Sequence, residues 1–368
     1  MKLNFKKIVS ILLCILRRTL LVIFTAAVLV LVGLIMVCNL IFNGPSPAAR
    51  NVLTMSMLES SGMKWCPALF IGQETVEQIQ AEVYVPLPED VSDVSQVIIN
   101  SADNTVISDE WKDYPDGIKI EEIKGDTYTA YVMLVRNPQD IYLATSTSKF
   151  STEIPGTRLH KQIRTEGAIA GINGGAFNDD GTLSDYIGSL PMGLTVSKGK
   201  IVWNDGGSYG GFVGFNEDNV LVVAKTMTAS KAKELKIRDG CCFGPVLLMN
   251  GVVNDTQFSS NSGYNPRTAI GQRADGTVIF LCVDGRQAGS LGATYADLIN
   301  IMVEYGAINA CNLDGGASSV MMYKDTYGRY GEEGEYVMIN NHAMLQENPR
   351  KMPTFFMVKP ADSSDSEE

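Results

Sequence analysis

Residues 277–286, TVIFLCVDGR, and residues 294–319, TYADLINIMVEYGAINACNLDGGASS, decide the fold of this chain. Two apolar runs of strand length end on turn residues at Asp284-Gly285 and Asp314-Gly315-Gly316. Between them Leu298, Ile301, Met302 and Tyr305 recur at helical spacing, and Thr294 stands where an N-cap is needed. The unit is strand, helix, strand, with an aspartate delivered at the end of each strand. Upstream, TYTAYVMLV, DIYLATS, GAIAGIN, GLTVSKGKIVW, GGFVGF, NVLVVA, PVLLMNG and RTAIGQ are further short apolar runs bounded by Gly, Asn and Asp turns. The predicted class is α+β: a mixed multi-stranded sheet core with packed helices, preceded by one N-terminal transmembrane helix.

That helix is read from Thr19 to Phe42, an uncharged run long enough to cross a bilayer, which needs about 20 apolar residues. Lys2, Lys6, Lys7, Arg17 and Arg18 precede it with no acidic residue among them, so the positive-inside bias places the N-terminus in the cytoplasm and the remainder outside. A cleaved signal peptide is the competing reading, supported by small residues at Ser46-Pro47-Ala48-Ala49; the apolar core is longer than a signal h-region of about 7–15 residues, which favours an anchor. The expected organisation is a basic cytoplasmic tail (1–18), the transmembrane helix (19–42), a linker and stalk with the start of the β-rich region (43–125), the main domain (126–360) and a disordered acidic tail (361–368).

The chain carries 30 Lys and Arg against 41 Asp and Glu, and five of the basic residues lie before the membrane helix. The outer part is therefore strongly acidic, which argues against nucleic acid as a partner and leaves any anionic substrate to be held by local donors. Of seven cysteines, the five beyond the membrane helix show no metal-ligand spacing and imply no disulfide framework; Cys282 and Cys311 read as small buried hydrophobes.

Three polar loops follow apolar strands, where a scaffold presents groups to a ligand. In the first, Asn173-Gly174-Gly175, paired glycines allow close backbone approach and the amide can donate and accept; a plain glycine turn is the alternative. In the second, Arg267, Asp284 and Arg286 bring donor forks suited to phosphate or carboxylate, although Arg286 fits a surface ion pair as well. The third, Asn312-Leu313-Asp314-Gly315-Gly316-Ala317-Ser318, sets a carboxylate beside backbone donors and hydroxyls, an arrangement for a nucleophile or base. Its spacing does not match a calcium loop. Only His160 and His342 are present, without a GxSxG elbow, Walker loop or dinucleotide fingerprint, which disfavours serine hydrolase and nucleotide chemistry. No metal or cofactor is expected.

Taken in order, GINGGAF, LPMGLTVSKGKIV, GPVLLMNG, NPRTAIG, VDGR, NACNLDGGASS and NPRKMPTFFMVK resemble the phosphodiester glycosidase family over about Asp126 to Lys359. The resemblance implies attack at the anomeric carbon of a sugar linked through phosphate, with Asp314 and Asp284 catalytic and Asn173, Gly174, Gly175, Arg267, Asn312, Gly315, Gly316 and Ser318 binding substrate. Asp314 would act as nucleophile or as base for water, Arg267 would hold the phosphate, Asn173 and Ser318 would orient the sugar, and Asp284 would be the partner acid or would fix Arg267. Ala176 and Ala317 depart from the family pattern, which bears on sugar choice. The expected function is thus a membrane-anchored, extracytoplasmic hydrolase of sugar 1-phosphodiesters in envelope or exopolysaccharide glycans. A non-catalytic glycan-binding envelope protein and a metal-independent phosphodiesterase are the alternatives.

Overall fold

The apolar run at the N-terminus belongs to one helix, α1 (Phe5–Asn43), in a computed structural model that describes residues 5–58, 60, 62–82, 90–99, 109–178, 187–254, 262–341 and 349–360. Its stretch Leu13–Asn43, with mean hydropathy 3.1, is long and apolar enough to cross a membrane, and the protein covers it only near its C-terminal end, at Phe42. Three short helices follow: α2 (Pro47–Leu58), α3 (Cys66–Ile71) and α4 (Gln73–Glu82). Helices this short are marginal alone and must bury a face. They do so against one another and against α1: Phe42 stacks on Phe70 with ring centroids 5.0 Å apart, and Met55 packs with Ile79. Ser56 Oγ accepts the Tyr264 backbone N–H at 3.0 Å and ties α2 to the domain. The segment expected as a stalk is instead a folded-back helical cluster.

The domain begins with β1 (Ile118–Lys124), β2 (Thr129–Val135), β3 (Ile141–Thr145), α5 (Leu159–Glu166) and β4 (Ala170–Asn173). Next come β5 (Leu194–Ser197), β6 (Lys200–Asn204), β7 (Phe212–Asn216), β8 (Leu221–Ala224), α6 (Ala229–Glu234) and β9 (Ile237–Cys242). The strand–helix–strand region contains β10 (Val246–Met249), β11 (Val252–Val253), β12 (Arg267–Arg273), β13 (Val278–Val283), α7 (Tyr295–Glu304) and β14 (Ala307–Leu313), and the chain returns through β15 (Met321–Lys324), β16 (Tyr336–Met338) and β17 (Thr354–Val358). Because β1 pairs with β2 along its length, from Ile118 opposite Val135 to Lys124 opposite Thr129, the domain starts before the expected boundary at 126. The acidic tail 361–368 lies outside the described residues.

Among the described residues the strands form three sheets, in the orders β1-β2-β13-β12-β14-β10-β11, β16-β15-β4-β17-β3 and β6-β5-β9-β7-β8. Their apolar faces meet in one core, to which Met133, Ile270 and Phe280 come from the first sheet, Ile172 and Phe356 from the second, and Phe215 and Val223 from the third. A helix covers each opposite face: α7 through Leu298, Ile301 and Met302, α5 through Leu159 and Ile163, and α6 through Ala232. The expected Thr294 cap is present as a capping box closed by Asp297.

The expected strand–helix–strand unit exists, with β12 inserted between its two strands and antiparallel to both. Consequently β13 and β14 run in the same direction, and Asp284 and Asp314 emerge at one end of the sheet beside the start of β12. This edge carries the candidate site. Leu298 anchors α7 over that sheet and is wholly buried, so Leu298→Ala should cost roughly 2–5 kcal/mol, read as a lower denaturant midpoint at unchanged slope.

Candidate active site

At the Asp314 edge a cleft of about 400 Å³ opens between the first sheet, the Gly174 loop and the N-terminal helical cluster. Ala176, Phe177, Met192, Phe243 and Tyr295 give it apolar surface, while Asn265, Arg267, Arg286, Asn312, Asp314 and Arg350 supply polar groups, with Leu58 and Lys64 closing one side. Asp314 is the one carboxylate among the described wall residues, facing four cations. A ring face and an anion both find complements here.

The Asp314 turn is held by backbone. Its own N–H donates to Gly174 O at 3.2 Å, its Oδ1 accepts the Gly315 N–H at 2.9 Å, and the Gly316 N–H donates to Pro266 O at 2.8 Å. Gly316 has φ +61°, a conformation that glycine permits, and it lies in contact range of the Arg286 guanidinium. Arg286 itself adopts φ +57° and donates to Asn265 Oδ1 at 2.9 Å. A strained non-glycine backbone of this kind must be held in place by its surroundings.

Asn173 does not line the cleft. It is fully buried, donating Nδ2 to Asp314 O at 2.6 Å while Oδ1 accepts from Thr268 Oγ1 at 2.8 Å and the Val320 N–H at 3.2 Å. It positions the Asp314 turn. Gly174 and Gly175 likewise pack against protein, Gly174 against Thr354 and Gly175 so near Cys241 that a Cβ would lie 2.9 Å from Sγ. The residues that follow them, Ala176 and Phe177, are the ones on the wall.

Arg267 is 3% exposed and lies over the Tyr295 ring at 3.9 Å, with Nε donating to Ala293 O and Nη2 to Gly263 O, both at 2.8 Å. Stacking and these carbonyls fix the guanidinium plane at the cleft. Asn312 donates Nδ2 to Gly244 O at 2.9 Å, whereas its buried Oδ1 has no partner among the described residues. An unsatisfied buried acceptor costs about 1–3 kcal/mol, which a ligand hydroxyl offsets. Ser318 is wholly buried behind the turn, its hydroxyl also unpartnered, and it stands away from the cleft wall.

Asp284 departs from its expected roles. Its oxygens accept the Asn341 N–H at 2.9 Å and the Asn341 Nδ2 at 3.0 Å, and Asn341 bonds Tyr131 Oη in turn, so the carboxylate belongs to the face of the sheet that carries Tyr131 and Cys282. It is not among the residues of the cleft wall. Burial pushes its pKa up to about 6, against the hydrogen bonds from Asn341.

Arg350 and Lys64 were not singled out as site residues from the sequence. Arg350 stacks over Phe177 at 5.1 Å, and its position in the NPRK run was the available signal. Nothing local marks Lys64. The thiols of Cys241, Cys242 and Cys311 are free and buried, that of Cys241 beneath Gly175, and His342 lies outside the described residues.

A family model for phosphodiester glycosidases matches residues 166–359, more than half of the chain, and the chain belongs to that family. It is 30% identical over 190 residues to the SPbeta prophage-derived uncharacterized protein YomE of Bacillus subtilis (strain 168), a stretch that makes up 50% of this chain and 28% of that protein. The solved catalytic domain of zebrafish N-acetylglucosamine-1-phosphodiester alpha-N-acetylglucosaminidase, auto-inhibited by its pro-peptide, aligns with a TM-score of 0.50 at 19% identity, covering 66% of this chain and 82% of that one. That likeness is one of fold.

Two measurements check the roles assigned to buried groups. Because the folded pKa of Asp284 lies above its unfolded value near 4, its burial is without cost at low pH and removes stability as pH rises from about 4 to 6. Thermal melts of Asp284→Asn should lack that portion of the wild-type decline between pH 4 and 6.5. Asn173→Ala strands the Thr268 hydroxyl, the Val320 N–H and the Asp314 carbonyl, and should cost about 3 kcal/mol or more in chemical denaturation.

Proposed function

We propose that this chain is a membrane-anchored, outward-facing hydrolase that cleaves the glycosidic bond of sugar 1-phosphodiesters in envelope or exopolysaccharide glycans. The observation that carries the reading is Asp314 held rigidly on a cleft whose other charged wall groups are Lys64, Arg267, Arg286 and Arg350. Membership of the phosphodiester glycosidase family supports it, as do α1 and the basic residues before its apolar run.

Ordinary glycosidases need two carboxyl groups because a sugar alkoxide is a poor leaving group. A phosphodiester leaves as a stabilised anion, and guanidinium groups around it strengthen that advantage. One carboxylate in the cleft then suffices. Asp314 supplies an electron pair to the anomeric carbon, directly or through a water; the C1–O bond breaks with its electrons going to the phosphate oxygen; and water ends as the new sugar hydroxyl. Arg267 and its neighbours hold the phosphate, the unpartnered Asn312 Oδ1 accepts from a sugar hydroxyl, and Asn173 keeps the Asp314 turn in register. Asp284 acts on the site only through the scaffold around Asn341.

The full chain, incubated with a panel of sugar 1-phosphodiesters in oxygen-18 water, should release free sugar carrying the label and an unlabelled phosphomonoester. The name of the zebrafish relative puts N-acetylglucosamine first in that panel. Asp314→Asn should lower turnover by about 10²–10⁴-fold in a folded protein. Label in the phosphate would instead mean phosphorus–oxygen cleavage, and binding without turnover would mean a glycan-binding protein. Retained anomeric configuration identifies Asp314 as nucleophile, and inversion identifies it as base.

A further inference from the structure

The N-terminal cluster places the cleft relative to the membrane. The apolar run of α1 extends to Phe42, and since about 20 residues cross the hydrocarbon core, its final turns reach the outer headgroup level. Helix α3 lies alongside those turns: Phe70 stacks on Phe42, and Cys66 is within electrostatic reach of Cys38. α3 must therefore share their depth. The side chains it turns away from the protein are apolar, Trp65 being 64% exposed and Leu69 72%, with Met63 before them at 44%. The Trp65 indole N–H is already bonded to Gly62 O at 3.1 Å, which leaves the ring itself to be covered. Tryptophan and leucine exposed at this level are the composition of a membrane-interface anchor.

The adjacent residue decides what this means for the cleft. Lys64 forms part of the cleft wall, and Trp65 begins the apolar patch. Consecutive Cα atoms are only about 3.8 Å apart, so the mouth of the site is continuous with the membrane-facing surface. Leu58, at the end of α2, gives the same wall an apolar rim. A cation at headgroup depth beside three guanidinium groups is placed for a phosphate whose other substituent lies in the bilayer.

We propose that α3 rests in the outer membrane interface and that the cleft takes a lipid-linked sugar 1-phosphate, a glycosyl phosphodiester whose alcohol is a membrane lipid. The inference rests on the glycosidase reading above and names its substrate class. Water adds across the C1–O bond, the sugar leaves as a free hemiacetal, and the lipid remains in the membrane as its phosphomonoester. The sugar occupies the pocket between Phe177 and Tyr295, and the lipid chain passes Trp65 and Leu69.

The test uses the full chain in phosphatidylcholine nanodiscs. The sugar released in the panel is supplied as two 1-phosphodiesters, a phytanyl ester in the disc and a methyl ester in solution. The phytanyl form should be turned over with kcat/KM at least about tenfold higher, as expected for a reaction confined to one surface. Trp65→Ser with Leu69→Ser should abolish that preference, bringing phytanyl-ester kcat/KM down to the methyl-ester value. In parallel, phosphatidylcholine brominated near the headgroup should quench a fluorescence component that Trp65→Phe removes, because Trp111 is buried and Trp203 lies on β6. Equal turnover of both esters, or no Trp65-dependent quenching, overturns this inference and leaves the glycosidase reading standing; turnover of neither ester overturns both.

Discussion

The side-chain amide of Asn173 joins two sheets and the Asp314 turn through three hydrogen bonds made where water cannot substitute. Its Nδ2 holds the Asp314 carbonyl, and its Oδ1 gathers the Thr268 hydroxyl of β12 and the Val320 N–H ahead of β15. In a dry interior each such group is expensive to leave unmatched, so the amide has one low-energy arrangement and imposes it on all three partners. The Asp314 carboxylate is thus aimed by the opposite end of its own residue. The turn itself is constrained by backbone on both sides, which leaves it little freedom to reorganise.

The cleft divides its labour between shape and charge. Glycine at 174 and 175 lets the loop lie against Thr354 and the Cys241–Cys242 strand end, which brings Ala176 and Phe177 forward as apolar wall. Charge comes from residues far apart in the chain: Lys64 from the N-terminal cluster, Arg267 and Arg286 from either side of β13, and Arg350 from the approach to β17. The chain as a whole carries a net charge of −11, so this concentration of cations is a local exception. It confines anion affinity to one place on an otherwise repelling surface.

Much of this was legible in the sequence because the relevant signals are local. Helix α7 and its cap follow from the spacing of Leu298, Ile301 and Met302 after Thr294, and Arg267, Asn312 and Asp314 stand out as polar groups ending apolar strands. What was not legible is relational. Asn173 before two glycines looks the same whether it meets a ligand or the Asp314 carbonyl 141 positions away. Asp284 and Asp314 both follow a strand and precede glycine, yet Asp284 is claimed by Asn341 on the core side, a partner no short motif announces. The division into three sheets depends on pairings such as β2 with β13 and β4 with β17, which loop-closing contacts set and local pattern does not. The helices after α1 looked like a stalk because their lengths are visible in sequence and their docking partners are not.

Three free thiols, Cys241 packed against Gly175, Cys242 against Gly193 and Cys311 in the core, are each almost wholly withdrawn from solvent. Burial drives all three upward, Cys242 to about 11, so the nucleophilic thiolate is nearly absent at neutral pH. Sulfur here is packing material, as inert as the methyl groups beside it. None of these three sulfurs is accessible for oxidation or mispairing, so this part of the fold is indifferent to the oxidising or reducing character of its surroundings.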